Sequence, residues 1–236
     1  MQLGVESAGS WESLQRNLAE DLQIQIAKFG LAFDVTRMVG LLFARPSSKL
    51  SREEVIPNIH YFHDRSAAFI NFYCIGYSDH RRGEKDEEVV LELDGKEWTF
   101  SNDRFNRMRE RLESTSKWKY RGSVELILTN ARLRNRKEAD LDLSSAICAN
   151  LAEMKQIGAI ADVETFLEKV IRYAEKPSSI DPTWGFSDKA GVDVAGSAFR
   201  SLIVSLLPES LREDVKKAAH FAVSDISTGR AAPGQR

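Results

Sequence analysis

The chain has 236 residues, 42% of them hydrophobic and 29% charged, a composition that folds and is far from the low-hydrophobicity, high-charge signature of disorder. With 33 basic and 35 acidic side chains the formal net charge is −2, so no global positive field draws the protein onto nucleic acid or an anionic membrane. The 2 cysteines, Cys74 and Cys148, are too few and too far apart for a disulfide framework or a zinc ribbon.

The opening MQLGVESAGSWESLQ has no basic stretch followed by an apolar one. No apolar run approaches the ~18 residues of a membrane span, so a cytoplasmic location is expected. Ser10 is placed to cap a first helix, in which Trp11, Leu14, Leu18 and Leu22 recur on one face while Glu12, Arg16, Glu20 and Asp21 are expected on the other. MVGLLFARP (38–46) is a nearly unbroken apolar run closed by Pro46, and it reads as a strand buried on both faces. Ser51 and Glu54 then have the spacing of a capping box, and Val55, Ile56, Ile59 and Phe62 mark one face of a helix. Pro57 disturbs that helix, because it removes a hydrogen bond and clashes with the preceding turn.

AAFINFYCIGY (67–77) reads as a second core strand, and strand, helix and strand in this order predict a right-handed βαβ unit with parallel strands. After the charged segment SDHRRGEKDEE, Asp94-Gly95 sits between alternating stretches and predicts a two-residue hairpin. Ser101 or Asn102 caps a helix whose Phe105, Met108 and Leu112 share a face, with its arginines and glutamates expected on the other side. SVELILTNARL (123–133) is a further strand, followed by expected helices at 142–156 and 163–175.

Pro177 and Pro182 mark a break. Beyond it, Phe199, Leu202, Ile203, Leu206 and Leu207 form an apolar stripe ended by Pro208, and Ser210 with Glu213 predicts a last helix to about Ser224 before a loose tail. The expected fold is therefore α/β. A mixed sheet of about five strands has a βαβ start and a β-hairpin flanked by helices in residues 1–176, and 177–236 form a helical extension packed on it.

Three stretches hold residues with chemical potential. IHYFHDRS (59–66) gathers His60, His63, Asp64 and Arg65. Two histidines three apart on a helix share a side and can in principle bind a ligand or phosphate, or a metal. With Ile59 and Phe62 in the core, however, His63 falls at the edge of the buried face, where a histidine hydrogen-bonds or caps. The His63-Asp64 dipeptide also occurs in HD-type phosphohydrolases, but those are all-helical, whereas this one lies between two predicted strands.

SKWKYRG interleaves Lys117, Trp118 and Lys119 with Tyr120 and Arg121, the alternation that stacks bases and neutralises phosphates; its alternative is a connection with the rings inward and the cations in water. RLRNRK adds Arg132, Arg134, Arg136 and Lys137, a candidate anion or nucleic-acid patch. In parallel α/β sheets ligands bind beyond the carboxyl ends of strands, which places Arg45 and the PSSK turn at the functional end. The apolar settings NFYCIGY and SSAICANLA predict buried thiols. The loop DPTWGFSDKAG is anchored by Trp184 and Phe186 and carries Asp181 and Asp188.

Together, IPNIHYFHDRSAAFINFYCIGY, WTFSNDRF, SKWKYRGSVELILTNARL and DPTWGFSDKAG resemble a pattern in uncharacterised bacterial proteins, some of them in mobile or antiviral defence loci, over residues 38–225. The resemblance implies a bacterial cytosolic protein that acts with a partner or as a homo-oligomer. Neither a catalytic triad, a dinucleotide fingerprint nor a phosphate loop is complete, so no cofactor and no metal is expected. The first functional reading is a non-catalytic binding or regulatory component that recognises a protein partner or an anionic ligand. The second is a nucleotide- or nucleic-acid-processing hydrolase using His60, His63, Asp64 and Arg65 with the basic cluster.

Overall fold

The computed structural model describes residues 5–8, 10–29, 36–59, 61–62, 70–78, 85–93, 95–135, 137–175 and 223–226. Its core is a mixed six-stranded sheet. Strands β1 (Val5–Ala8), β2 (Thr36–Phe43) and β3 (Ile70–Ile75) come first, with helix α1 (Trp11–Phe29) between β1 and β2. A short strand β4 (Tyr77–Ser78), the pair β5 (Glu88–Leu93) and β6 (Lys96–Phe100), and helix α2 (Asn102–Thr115) follow. Strands β7 (Glu125–Leu133) and β8 (Ala139–Asn150), helices α3 (Leu151–Gln156) and α4 (Val163–Glu175), and strand β9 (Val223–Asp225) complete the described order.

The large sheet runs β1-β3-β2-β7-β8-β9, and β4-β6-β5 form a second, small sheet. β3 is parallel to both β1 and β2, and β7 turns antiparallel to β2. The expected βαβ unit and hairpin are both present. Gly95 takes the positive φ of 71° that the tight β5–β6 turn requires.

Unbroken burial from Met38 to Ala44 and from Ile70 to Ile75 follows from covering both faces of β2 and β3. Gly40 has a specific reason to lack a side chain: a Cβ there would run into the Phe72 ring on the neighbouring strand and press on Leu126. α1 packs across β1, β7 and β8, burying Leu14, Leu18 and Leu22 as its periodicity predicts. Its start is fixed by a reciprocal pair in which Ser13 N–H donates to Ser10 Oγ at 3.1 Å and Ser10 N–H to Ser13 Oγ at 2.8 Å.

Several expectations are corrected. The helix expected from 142 begins at Leu151, because residues 139–150 pair antiparallel with β7 over its full length. Asn150 ends that strand and caps α3, accepting from Glu153 N–H at 3.0 Å. Ser51 and Glu54 form no capping box. Pro57 sits in a 3₁₀ segment, Ile56–Asn58, directly after a π-helical turn, Ser51–Val55, so the regular helix is not sustained there. Glu54 instead accepts from Val163 N–H at 2.9 Å and pairs with Lys155, tying the α3–α4 junction to this segment. The C-terminal extension lies outside the described residues except 223–226, where the expected end of a helix is a strand on β8.

Arg104, expected on the outer side of α2, is fully buried. Its guanidinium pairs with Glu87 at 3.0 Å and donates to Thr99 Oγ1 at 3.3 Å, so a residue of the charged segment is drawn under the helix. Nearby, Ser101 caps α2, and Asp86 accepts from Ser101 Oγ at 2.9 Å and Asp103 N–H at 2.8 Å.

Two measurements test this packing. Glu87→Ala strips a buried guanidinium of its carboxylate and should lower unfolding free energy by about 3 kcal/mol in urea titrations. A change within error of zero would show that the pair holds nothing in place. Gly40→Ala should cost about 1 to 3 kcal/mol by forcing the Phe72 ring aside, and a neutral result would mean that the β2–β3 contact is loose.

Candidate ligand-binding site at the carboxyl end of the parallel strands

His60, His63, Asp64 and Arg65 lie outside the described residues, as do Arg136, the 181–191 loop and all four of the chain's histidines. Within the same stretch Ile59 and Phe62 are buried as expected, and Tyr61 donates to Glu168 Oε2 at 2.8 Å. Among the described residues no group of three His, Cys, Asp or Glu side chains is placed to hold a metal ion.

The two basic stretches are not brought together. Arg132 pairs with Thr36 and Glu125 with Phe43, so Arg132, Arg134 and Lys137 stand exposed at the amino end of β2, while Lys117, Trp118 and Lys119 belong to the opposite end. The nine residues of β7 separate them, roughly 27 Å at strand rise. Their cations face water, but the ring between Lys117 and Lys119 does not: Trp118 is 2% exposed and donates through Nε1 to Glu125 at 2.7 Å. The inward reading of this connection is the one that describes it.

Glu125 is itself buried and also accepts from Arg121 N–H at 2.9 Å and from the Cys148 thiol at 3.5 Å. Burial raises its pKa against those hydrogen bonds, and burial next to Glu125 raises the Cys148 thiol well above its usual range. Cys74, also buried, is pushed up to about 12. Neither thiol is positioned as a nucleophile.

The carboxyl end of β2 gathers Arg45, two side-chain amides and a cluster of aromatic rings. Arg45 follows β2, and its guanidinium reaches α2, where Nη1 donates to Asn102 Oδ1 at 2.8 Å and Nη2 to Asn106 Oδ1 at 2.7 Å. It lies 4.3 Å from the centroid of the Phe105 ring. Phe105 in turn meets Phe43 at 5.4 Å and Tyr120 at 5.3 Å, both edge to face. On the far side of the Pro46-Ser47 turn, a cleft of about 500 Å³ is lined by Pro46, Ser47, Arg52, Ile56 and the start of β5, Glu88 to Val90. A smaller hollow of about 300 Å³ at the α3–α4 junction includes Asp162, Thr165 and Lys169, but Asp162 is engaged in capping α4 through Thr165 N–H at 2.6 Å.

A buried acid elsewhere was not expected. Asp21 is 5% exposed, and its Oδ2 accepts from Asn71 Nδ2 at 2.5 Å and Tyr73 Oη at 2.7 Å. The legible signal was its place seven residues after Leu14 and three after Leu18, on the buried side of α1 at ~100° per residue. Burial pushes this carboxyl up to about 6 even though the two hydrogen bonds favour the charged form.

Comparison with protein-family models, with curated proteins and with solved structures finds no match to this chain. The site is therefore argued from its own chemistry.

Asp21 gives a measurable pH dependence. Its carboxyl holds a proton more tightly in the folded chain than in the unfolded one, so its contribution is complete below about pH 4 and is lost as pH rises through 6. Raised from 3.8 to about 6, it amounts to about 3 kcal/mol. Asp21→Asn keeps an oxygen to accept both hydrogen bonds and should flatten the pH dependence of the urea midpoint between pH 4 and 6. An unchanged slope in the variant would locate the titration elsewhere.

Proposed function

We propose that the chain is a binding or regulatory component without chemistry of its own, in a bacterial system such as antiviral defence, and that it recognises a protein partner at the carboxyl end of β2. The observation that supports this reading is the cleft wall made by β5. Three consecutive residues of one strand, Glu88, Val89 and Val90, line it. Because side chains of a regular strand alternate between faces, three in a row bordering a cleft put the strand's edge or a bulge at that cleft. β5 is an edge of the small sheet, and its register against β6 slips between Val89 and Leu91, a bulge of the kind found next to binding sites.

The edge offers backbone donors and acceptors to an extended segment, which is how strand addition supplies affinity while flanking side chains supply specificity. Val89 is 48% exposed, the one large apolar side chain left open among the described residues. Arg52 lines the same cleft, and its guanidinium has no ion-pair or hydrogen-bond partner among them. The partner is accordingly an extended segment with an apolar residue for Val89 and an acidic residue for Arg52. No helix among the described residues is long and apolar enough to cross a membrane.

Val89→Asp and Arg52→Glu should each release a partner that co-purifies with the wild-type chain, leaving thermal midpoints within a degree or two, whereas Lys137→Glu at the other end of the sheet should retain it. Retention by both cleft variants would remove the cleft from recognition. Turnover of a nucleotide substrate that His63→Ala abolishes in a folded chain would replace this reading with the hydrolase.

A further inference from the structure

A second site, distinct from the β5 cleft, is carried by the charge balance around Arg45. Its guanidinium is fixed by two neutral amide oxygens and an aromatic face. No carboxylate among the described residues pairs with it. Asn102, Asn106 and Arg109 fall four and three residues apart on α2, which aligns them along one face.

Among the described residues Arg109 has one ion contact, with its chain neighbour Glu110 at 3.3 Å, and its enclosed Nε has no hydrogen-bond partner. Tyr120, edge to face with Phe105, lies within electrostatic reach of both guanidiniums. The nearby carboxylates have other partners. Asp86 accepts from Ser101 and Asp103, Glu113 accepts from Tyr120 N–H at 3.0 Å, and Glu125 is held by Trp118 and Arg121.

Among the described residues the two guanidiniums near this phenol meet one carboxylate, that of the largely exposed Glu110, which leaves the charge arrangement incomplete. Like charges in a half-buried setting repel unless an anion joins them, and a guanidinium presents five N–H donors, of which the two amides engage only part. From this geometry we infer that Arg45, Arg109 and the Tyr120 hydroxyl bind a small oxyanion, a phosphate or carboxylate group. Arg45 supplies a pre-oriented fork, because Asn102, Asn106 and the Phe105 face already hold its plane. Arg109 supplies the second charge, and Tyr120 donates its O–H. Asn102 and Asn106 act as positioning residues. The inference does not rest on the β5 cleft, so either site can fail without the other.

The test is titration of the full chain with inorganic phosphate, acetate and adenosine monophosphate in separate arms at fixed ionic strength, read by thermal midpoint and by intrinsic Trp and Tyr fluorescence. A saturable response is expected in at least one arm. Loss of a charge-assisted hydrogen bond should weaken it about tenfold or more in Arg45→Gln and in Arg109→Gln. Arg45→Lys, which keeps the charge but not the fork, should fall between them and wild type.

The arm that binds tightest identifies the source. Preference for phosphate over acetate assigns a phosphate site, the reverse a carboxylate site, and preference for the nucleotide over both adds a base contact. Circular dichroism checks folding; if Arg45→Gln does not fold, Arg109→Gln, on the partly exposed row of α2, carries the test. No saturable response to any of the three anions, or a response that the folded variants leave unchanged, overturns the site.

Discussion

The carboxyl end of the molecule is assembled on one side chain, Phe105. Its ring is bounded by Phe43 from β2, Tyr120 from the connection to β7 and Phe100 at 5.9 Å from the small sheet, with the Arg45 guanidinium on its face. Edge-to-face pairs contribute about 0.5–1.5 kcal/mol each beyond burial, but geometry matters more here than energy. α2 can occupy only the position that seats this ring, and that position brings Asn102 and Asn106 under Arg45. Gly76 belongs to the same constraint. At φ 89° it turns the chain from β3 into β4, and a Cβ there would collide with Phe100 and Phe105.

The interior also holds charge, placed with a common logic. Arg104 with Glu87 sits under α2, Asp21 with Asn71 and Tyr73 under α1, and Glu125 with Trp118 beside β8. The Asp21 group joins α1 to β3 across 50 residues or more, whereas Trp118 and Glu125 are seven apart. Such groups add little net stability when satisfied and cost several kcal/mol when stripped of a partner, so they act mainly to select one arrangement.

Much of this architecture is legible in residue patterns. The apolar runs around 38–46 and 67–77 announced strands covered on both faces, Asp94-Gly95 announced a hairpin, and Phe166, Leu167, Val170, Ile171 and Ala174, all buried, announced α4. β8 was not legible, because LDLSSAICANLAEM is rich in helix formers, and only its pairing with β7 decides for strand. Asp21 and Arg104 show a different failure, in which polarity was allowed to overrule spacing. Arg104 lies four residues before Met108, on the flank of the buried face, so position alone indicated burial. At the candidate sites, topology puts Arg45 at the carboxyl end of β2, but Asn102 and Asn106 become its neighbours only through the packing of Phe105. Nothing local in the sequence encodes that contact.

The position of β9 bears on how the chain is made. Residues 223–226 pair with β8, and the Ile226 backbone bridges two distant segments, its N–H donating to Ala146 O at 3.1 Å and its carbonyl accepting from Lys117 N–H at 3.1 Å. During synthesis β2, β3, β7 and β8 emerge long before this strand does. Through that interval the stretch of β8 that β9 covers, Ile147 to Ala149, lacks this partner strand. Such an edge is a template for pairing with another nascent chain. The small, late β9 therefore completes the sheet, and a chain halted before residue 226 lacks both its pairing with β8 and its tie to Lys117.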